Sequence, residues 1–420
     1  MKVIADLHIH SRYSRATSSD LNIMNLVKYA GIKGVNLLGT GDFTHPSWLD
    51  EIRHETSEDG SGILKTREGF PFILSAEISS IYMQDKKLRR IHNVLLCPDF
   101  GTAEQINDIL TRKGVNIKAD GRPICGIPSY ELVEILKGIN LMIEIIPAHA
   151  WTPWFSLFGS KSGFDRIEDC FKDQTKHVHA IETGLSSNPA MNWRLSQLDR
   201  FALVSFSDAH SFWPWRIGRE ATLFEVKDLT YDNIIKALRT KEGLIGTIEV
   251  DPSYGKYHYD GHRDCNVSLE PKESEKLHNI CPVCRRPLTI GVLHRVEELA
   301  DPDRQAGFMP KDAKPFYSFL PLSEIIAAVI GTNVASAKVW EEYNKLLNVF
   351  GSELNVLMDS SEGHLKKITK EKIADMIIKV REGKIKIRPG YDGVYGEVES
   401  GKRSAKNETL KKPQKTLGDF

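Results

Sequence analysis

Through the first 250 positions, short apolar runs alternate with stretches in which apolar side chains return at three- and four-residue spacing. The runs Val3–Ile9, Val35–Gly39, Phe70–Glu77 and Ile91–Leu96 predict strands, and Met142–Pro147, Val178–Glu182 and Ala202–Ser207 are further short apolar runs. Ile23–Gly31, Thr102–Arg112 and Ser129–Lys137 predict helices, with two more expected over Gly163–Lys172 and Pro189–Arg200. Strands alternating with helices predict an α/β fold with a parallel sheet and crossover connections. The pattern changes after Val250. Residues 251–317 hold a compact set of His and Cys residues, and residues 318–395 turn helical again in LSEIIAAVIG, ASAKVWEEYNKLLNVFG and ITKEKIADMIIKVREG, which predicts a small packed bundle. From Lys402 to Lys415 basic residues face one acid, Glu408, with almost no apolar side chains, so residues 396–420 are expected to form a disordered basic tail.

Chemistry enters where the strands end. His8 and His10 lie in ADLHIHS, Glu77 in FILSAEIS, His92 in RIHNVLL, His149 in IPAHA, and Asp208 and His210 in SFSDAH. A single His beside an apolar run is an ordinary core or surface residue. Two at i and i+2 on a strand share a face, and so do Asp208 and His210. Two such pairs with a Glu and two more His, delivered to one end of a sheet, are what a cluster of two or three divalent ions needs.

In that order DLHIHSRYS, GTGDFTH, AEIS, the His92 and His149 segments and SFSDAH resemble the motifs of the polymerase and histidinol phosphatase (PHP) superfamily across residues 1–250. With a zinc module, a helical region and a clamp-type tail following, the chain is most similar to the endonuclease Q family of DNA repair nucleases of archaea and some bacteria. The resemblance implies a distorted seven-stranded (β/α) barrel. It also implies hydrolysis of the phosphodiester bond 5′ of deaminated bases (hypoxanthine, uracil, xanthine) and abasic sites, leaving 3′-OH and 5′-phosphate ends through a metal-activated hydroxide. One ion, Zn²⁺, Mg²⁺ or Mn²⁺, would then be held by His8, His10, Glu77 and Asp208, and a second by His92 and His149, with Glu77 bridging. Glu77, Asp208, His210 and Glu182 are the catalytic candidates, Glu182 being either a supporting acid or a buried strand-end carboxylate. For a third ion the candidates are Asp42, His45 and His210, but Arg15 stands where a ligand is often supplied. Arg15 is instead a candidate phosphate contact or a plain surface residue.

Aromatic residues follow the late ligands: Trp151, Trp154, Phe155 and Phe158 after His149, and Phe212, Trp213 and Trp215 after His210. Trp151, Trp154, Phe212 and Trp213 are candidates for stacking on bases; the alternative is a lid packed on the rim. Further on, His262-x-x-Cys265 and Cys281-x-x-Cys284 have the spacing of a structural zinc site, with His258 and His278 as rivals for the histidine. Lys256, Arg263, Arg285, Arg286 and Arg295 nearby are either DNA-backbone contacts or a solvated face. The chain ends QKTLGDF, in which Gln414, Leu417 and Phe420 match peptides that bind the replication sliding clamp, proliferating cell nuclear antigen.

Composition excludes little. The 420 residues suffice for two or three domains, and 56 basic residues balance 56 acidic ones, so any nucleic-acid surface must come from local clustering. Six cysteines with one CxxC suit a metal module in a reducing compartment better than disulfides. No run is long and apolar enough to span a membrane and no signal peptide is evident, so a cytoplasmic, nucleoid-associated protein is expected. Two other classes share the metal pattern. A small-molecule phosphatase of the histidinol-phosphatase kind needs no zinc knuckle or clamp peptide, and a degenerate, non-catalytic DNA-binding module needs no full ligand set.

Overall fold

The computed structural model describes residues 1–398. Ten strands position the site: β1 Lys2–Asp6, β2 Leu37–Gly39, β3 Pro71–Gln84, β4 Lys87–Cys97, β5 Glu144–Pro147, β6 Ala180–Glu182, β7 Ala202–Val204, β8 Ala221–Glu225, β9 Leu244–Glu249 and β10 Phe316–Ser318. β1, β2 and β3 run parallel, as expected. β3 then pairs antiparallel with β4 along its whole length, and β4 antiparallel with β5. An isolated bridge, Ile145 to Val178, leads on to the parallel pair β6 and β7, and a second, Ile9 to Ala209, leads back to the end of β1. On its other edge β1 carries β8 and β9, both antiparallel, with β10 outermost.

The sheet is therefore mixed where the alternation of apolar runs predicts a parallel one. The cause is the β3–β4 hairpin, which turns on Asp85 and Lys86, both at positive φ (53° and 61°) without the glycine that usually marks such a turn. Two expected helices also shorten. Over residues 163–172 only Ile167–Phe171 is helical, because Arg89 and Arg295 take the carbonyls of Gly163 and Phe164. The other breaks into Pro189–Asn192 and a single turn at Ser196–Leu198.

Apolar side chains fill the frame on both faces. Val3, Ala5 and Leu7 pack with Val94, Ile146, Phe206 and Phe224 in one cluster, while Ile9, Leu38, Trp48, Leu74 and Ile78 belong to another. A third cluster joins Leu223, Ile248 and Val250 of the β8–β9 region to the C-terminal helices, through Leu322, Ile326, Val339, Tyr343, Leu346 and Ile377. These helices, Leu322–Ile330, Ala337–Phe350, Glu362–Ile368 and Glu371–Arg381, thus share a core with the sheet. The buried Lys33 amine fastens the contact, donating to Glu353 Oε1 at 2.7 Å and to the Pro214 carbonyl at 2.9 Å. No helix among the described residues is long and apolar enough to cross a membrane.

Candidate metal centre

The residues that lie far apart in the chain meet at one site: His8, His10, His149 and Asp208 just past strand ends, as expected, but Glu77 and His92 from within the long β3–β4 hairpin. One cluster consists of His8, His10, Glu77 and Asp208, and a second of Glu77, His92 and His149. Glu77 belongs to both, and with different oxygens. Its Oε2 lies 3.6 Å from His8 Nε2 and 3.3 Å from His10 Nε2, while Oε1 lies 2.6 Å from His92 Nδ1 and 3.2 Å from His149 Nε2. Asp208 Oδ1 closes the first cluster at 3.0 Å from His10 Nε2 and 3.6 Å from His8 Nε2.

The imidazoles of His8 and His10 are each aimed by a carboxylate behind them. Glu182 accepts from His8 Nδ1 at 2.9 Å and also from the His149 backbone N–H at 2.7 Å, so one buried acid orients two ligands. Asp42 accepts from His10 Nδ1 at 3.0 Å and is held by Ser11 and Ser14 hydroxyls at 2.7 and 2.8 Å. With Nδ1 so engaged, the Nε2 lone pairs of His8 and His10 face the cluster. Asp6 does the same for the backbone beneath Asp208, accepting from Ser207 N and Oγ and from Gly218 N. His149, Asp208 and Asp42 all adopt positive φ (30°, 47° and 47°), a costly conformation for residues with side chains. Gly184 makes room for it: a Cβ there would stand 2.6 Å from that of His149.

Burial by itself would keep Glu77 and Asp208 protonated. Against that, the Arg122 guanidinium and the polar rings of the surrounding histidines hold Glu77, and the rings of His210, His10 and His8 hold Asp208, well below the ordinary carboxylate range. Both are therefore ionised, as ligands must be. His8 Nε2 is sealed from solvent without a hydrogen-bond partner, an arrangement that costs free energy unless an ion takes the lone pair. The donor set of imidazoles and carboxylates fits one or two divalent cations.

Other candidates land differently. Asp42, His45 and His210 do not converge. Asp42 is occupied by His10 and the two serines, His45 stacks on Tyr13 at 4.4 Å, and His210 turns Nδ1 to the Asp208 carbonyl at 3.0 Å. Arg15 is largely exposed and pairs with Asp120 at 3.2 Å. Trp151 is buried, packs on Phe158 and donates to Asn192, and Phe212 is buried against Tyr29, so neither can stack on a base. Trp213 is exposed and lies flat on Trp215, and Trp154 sits at the rim with its edge on Tyr257. A cavity of about 630 Å³ opens over His149, Asp208 and His210, walled by Arg216, Arg219, Lys256, Tyr257 and Tyr395. Arg122, Arg216, Arg219 and Tyr395 were not legible in the chain, since none lies in a ligand motif; an arginine in the turn ADGRP is the only trace of the first.

In the segment after β9, His262, Cys265, Cys281 and Cys284 converge, with His262 Nδ1 3.7 Å from Cys284 Sγ, and the set of one nitrogen and three sulfurs fits zinc. His258 is buried elsewhere and His278 takes no part in this cluster. Arg295 is spent on Asp165 and Glu298 rather than presented outward. Gln414, Leu417 and Phe420 lie outside the described residues.

A mixed-sheet α/β frame with a buried imidazole–carboxylate centre and a separate Cys/His cluster defines the class of protein. A family model, the MJ0043 C-terminal domain, matches residues 321–384. The MJ0043 protein of Methanocaldococcus jannaschii is 34% identical over 255 residues, 60% of this chain but 31% of that longer protein. YqxK of Bacillus subtilis is 28% identical over 94% of this chain and 99% of its own length. Two solved structures match nearly end to end at 33% identity. The lesion-specific endonuclease PfuEndoQ from Pyrococcus furiosus superposes with a TM-score of 0.85 over 95% of both chains. Endonuclease Q in complex with a 27-mer duplex carrying an abasic lesion does so with a TM-score of 0.86, over 98% of this chain and 100% of that one. The chain belongs to the endonuclease Q family.

Proposed function

We propose that the protein is a DNA repair endonuclease that hydrolyses the phosphodiester bond 5′ of deaminated bases and abasic sites, leaving 3′-OH and 5′-phosphate ends. The observation that carries this reading is Glu77, whose two oxygens face two separate ligand clusters, one member of each, Asp208 and His149, lining an open cleft. The family's solved complex with a lesion-bearing duplex supports DNA as the substrate. Divalent ions bound there supply Lewis-acid stabilisation of a phosphate and lower the pKa of water.

The chain's own groups have definable tasks. Glu182 and Asp42 retain the protons on His8 Nδ1 and His10 Nδ1, keeping both rings in the ligand tautomer. Burial and the neighbouring His10 lower the pKa of His210, leaving Nε2 as a neutral group at the cleft that can take a proton or an ion. Arg216, Arg219 and Lys256 supply the local positive charge that the neutral chain lacks overall. Two bridges complete a circuit through β1, β2, β3, β4, β5, β6 and β7, which supports a distorted seven-stranded barrel over residues 1–250. A zinc-binding module over 251–317, a helical region over 318–395 and a clamp-binding tail over 396–420 complete the reading.

The test is nicking of an end-labelled duplex containing one deoxyinosine, in Mg²⁺ or Mn²⁺, beside undamaged DNA and an Asp208→Ala control. A single product ending 5′ of the lesion, absent from both controls, is expected. Intact DNA together with cleavage of a simple phosphate monoester would instead establish a small-molecule phosphatase.

A further inference from the structure

The guanidinium of Arg122 lies inside the centre. Its Nη1 donates to Glu77 Oε2 at 3.0 Å, and its side chain is only 12% exposed. The turn that carries it is tied down residue by residue. Arg122 N donates to Asp120 Oδ1 at 3.1 Å, Gly121 N to the Tyr13 carbonyl at 3.0 Å, and Ser79 N to the Pro123 carbonyl at 3.0 Å. Thr44 Oγ1 binds the Gly121 carbonyl at 3.1 Å. Gly121 itself presses on the acid that orients His10, since a Cβ there would stand 2.3 Å from Asp42 Oδ2. Such anchoring fixes where the guanidinium points.

Two further observations concern what it points at. A guanidinium has five N–H groups. Arg122 spends one nitrogen on Glu77, and among the described residues no acceptor takes Nε or Nη2, neither of which is sealed from solvent. The second is charge. Glu77 and Asp208 are the only carboxylates in the two ligand clusters, so with a divalent ion in each the ligand sets carry net positive charge before Arg122 is counted, Glu182 and Asp42 lying behind the imidazoles. A further positive charge against Glu77 is then not needed to hold the ligands together; an incoming anion is what it favours.

The geometry points to Arg122 as the residue that grips a non-bridging oxygen of the phosphate to be cleaved, through the N–H groups it does not spend on Glu77. An arginine fork suits a phosphate better than a lysine point charge. The inference deepens the nuclease reading and rests on it for which phosphate is bound, the one 5′ of the lesion.

The test compares the full-length wild type with Arg122→Met and Arg122→Lys, each loaded with metal and checked by elemental analysis. Binding of an abasic-site duplex is measured by fluorescence anisotropy in Ca²⁺, with either a normal phosphate or an uncharged methylphosphonate 5′ of the lesion. Unchanged metal content is expected, with about tenfold weaker binding for Arg122→Met and a partial loss for Arg122→Lys. The methylphosphonate should weaken the wild type similarly and add nothing to Arg122→Met. If metal content falls instead, or the two losses multiply, Arg122 serves only to shape Glu77 and the proposal is overturned. Should the wild type neither nick nor bind lesion DNA, the nuclease reading fails. Inorganic phosphate binding to the loaded protein then decides for Arg122: a tenfold loss in Arg122→Met would uphold an anion anchor, and no loss would sink it.

Discussion

Between His8 and His210 the chain passes through six of the ten strands before the central cluster closes, whereas His262, Cys265, Cys281 and Cys284 meet within one short segment. The central ligands stand on a large core, and carboxylates on separate elements orient them before any ion arrives. Around the Cys/His cluster the buried apolar residues among those described are Val267, Cys281 and Leu288, with partial cover from Cys265, Leu269 and Cys284. The first site is therefore organised by the fold, while the second has too little core to organise its segment and is expected to need a bound ion to do so. Removing a ligand should accordingly abolish chemistry at one and structure at the other.

The largest effect is expected at the centre. Asp208→Ala should lower nicking of a deoxyinosine duplex by about 10³-fold with the circular dichroism spectrum unchanged; loss of the folded signal would mean that the ions also hold this region together. Next, Cys284→Ser should release zinc and speed proteolysis within residues 255–290 by about tenfold, with the main thermal transition retained. Equal resistance of mutant and wild type would show that the segment stands without its ion.

Aromatic residues sharpen the contrast in another way. Trp151→Ala should cost about 3–5 kcal/mol in denaturant unfolding, because the ring is buried against Phe158 and its N–H is bonded to Asn192. Trp213→Ala, at an exposed ring, should cost less than about 1 kcal/mol while weakening lesion-duplex binding. If the two ranked the other way in stability, the division between packing and contact would be wrong.

The smallest effect concerns pH. Burial pushes Glu249 up to about 8, against hydrogen bonds from Thr247, Thr183 and Ser205. An acid raised from 4.5 contributes stability that is complete below 4.5 and lost as pH rises through 8. Glu249→Gln should therefore gain in Tm relative to wild type between pH 5 and pH 9, by about 2 °C or more. A constant difference across that range would show that Glu249 does not titrate in this window.

Much of this was legible in the chain because strand periodicity and the position of ligands at strand ends are local properties. His8 and His10 could be paired on one face from their spacing alone, Glu77, His149 and Asp208 stood out because each ends an apolar run, and His92 because it interrupts one near its start. The His262-x-x-Cys265 and Cys281-x-x-Cys284 knuckles were equally plain, since each half is compact, although only the fold chose His262 over His258 and His278. The strands Ala221–Glu225 and Leu244–Glu249 were missed, as was the long β3–β4 hairpin, whose Asp-Lys turn lacks a glycine signal.

What the sequence by itself determined was the set of imidazole, carboxylate and thiol candidates, the change of composition after Val250 and the apolar runs and helical periodicities from which an α/β fold follows. Tertiary structure alone decided which oxygen of Glu77 faces which cluster, that Asp42 supports His10 instead of joining a third site, that Trp151 is core, and that Arg122 enters the centre. The physical reason is range. Periodicity and spacing act over a few residues, whereas the roles of Glu77, Asp42 and Arg122 depend on contacts between segments that the chain separates by dozens of residues and only close packing brings together.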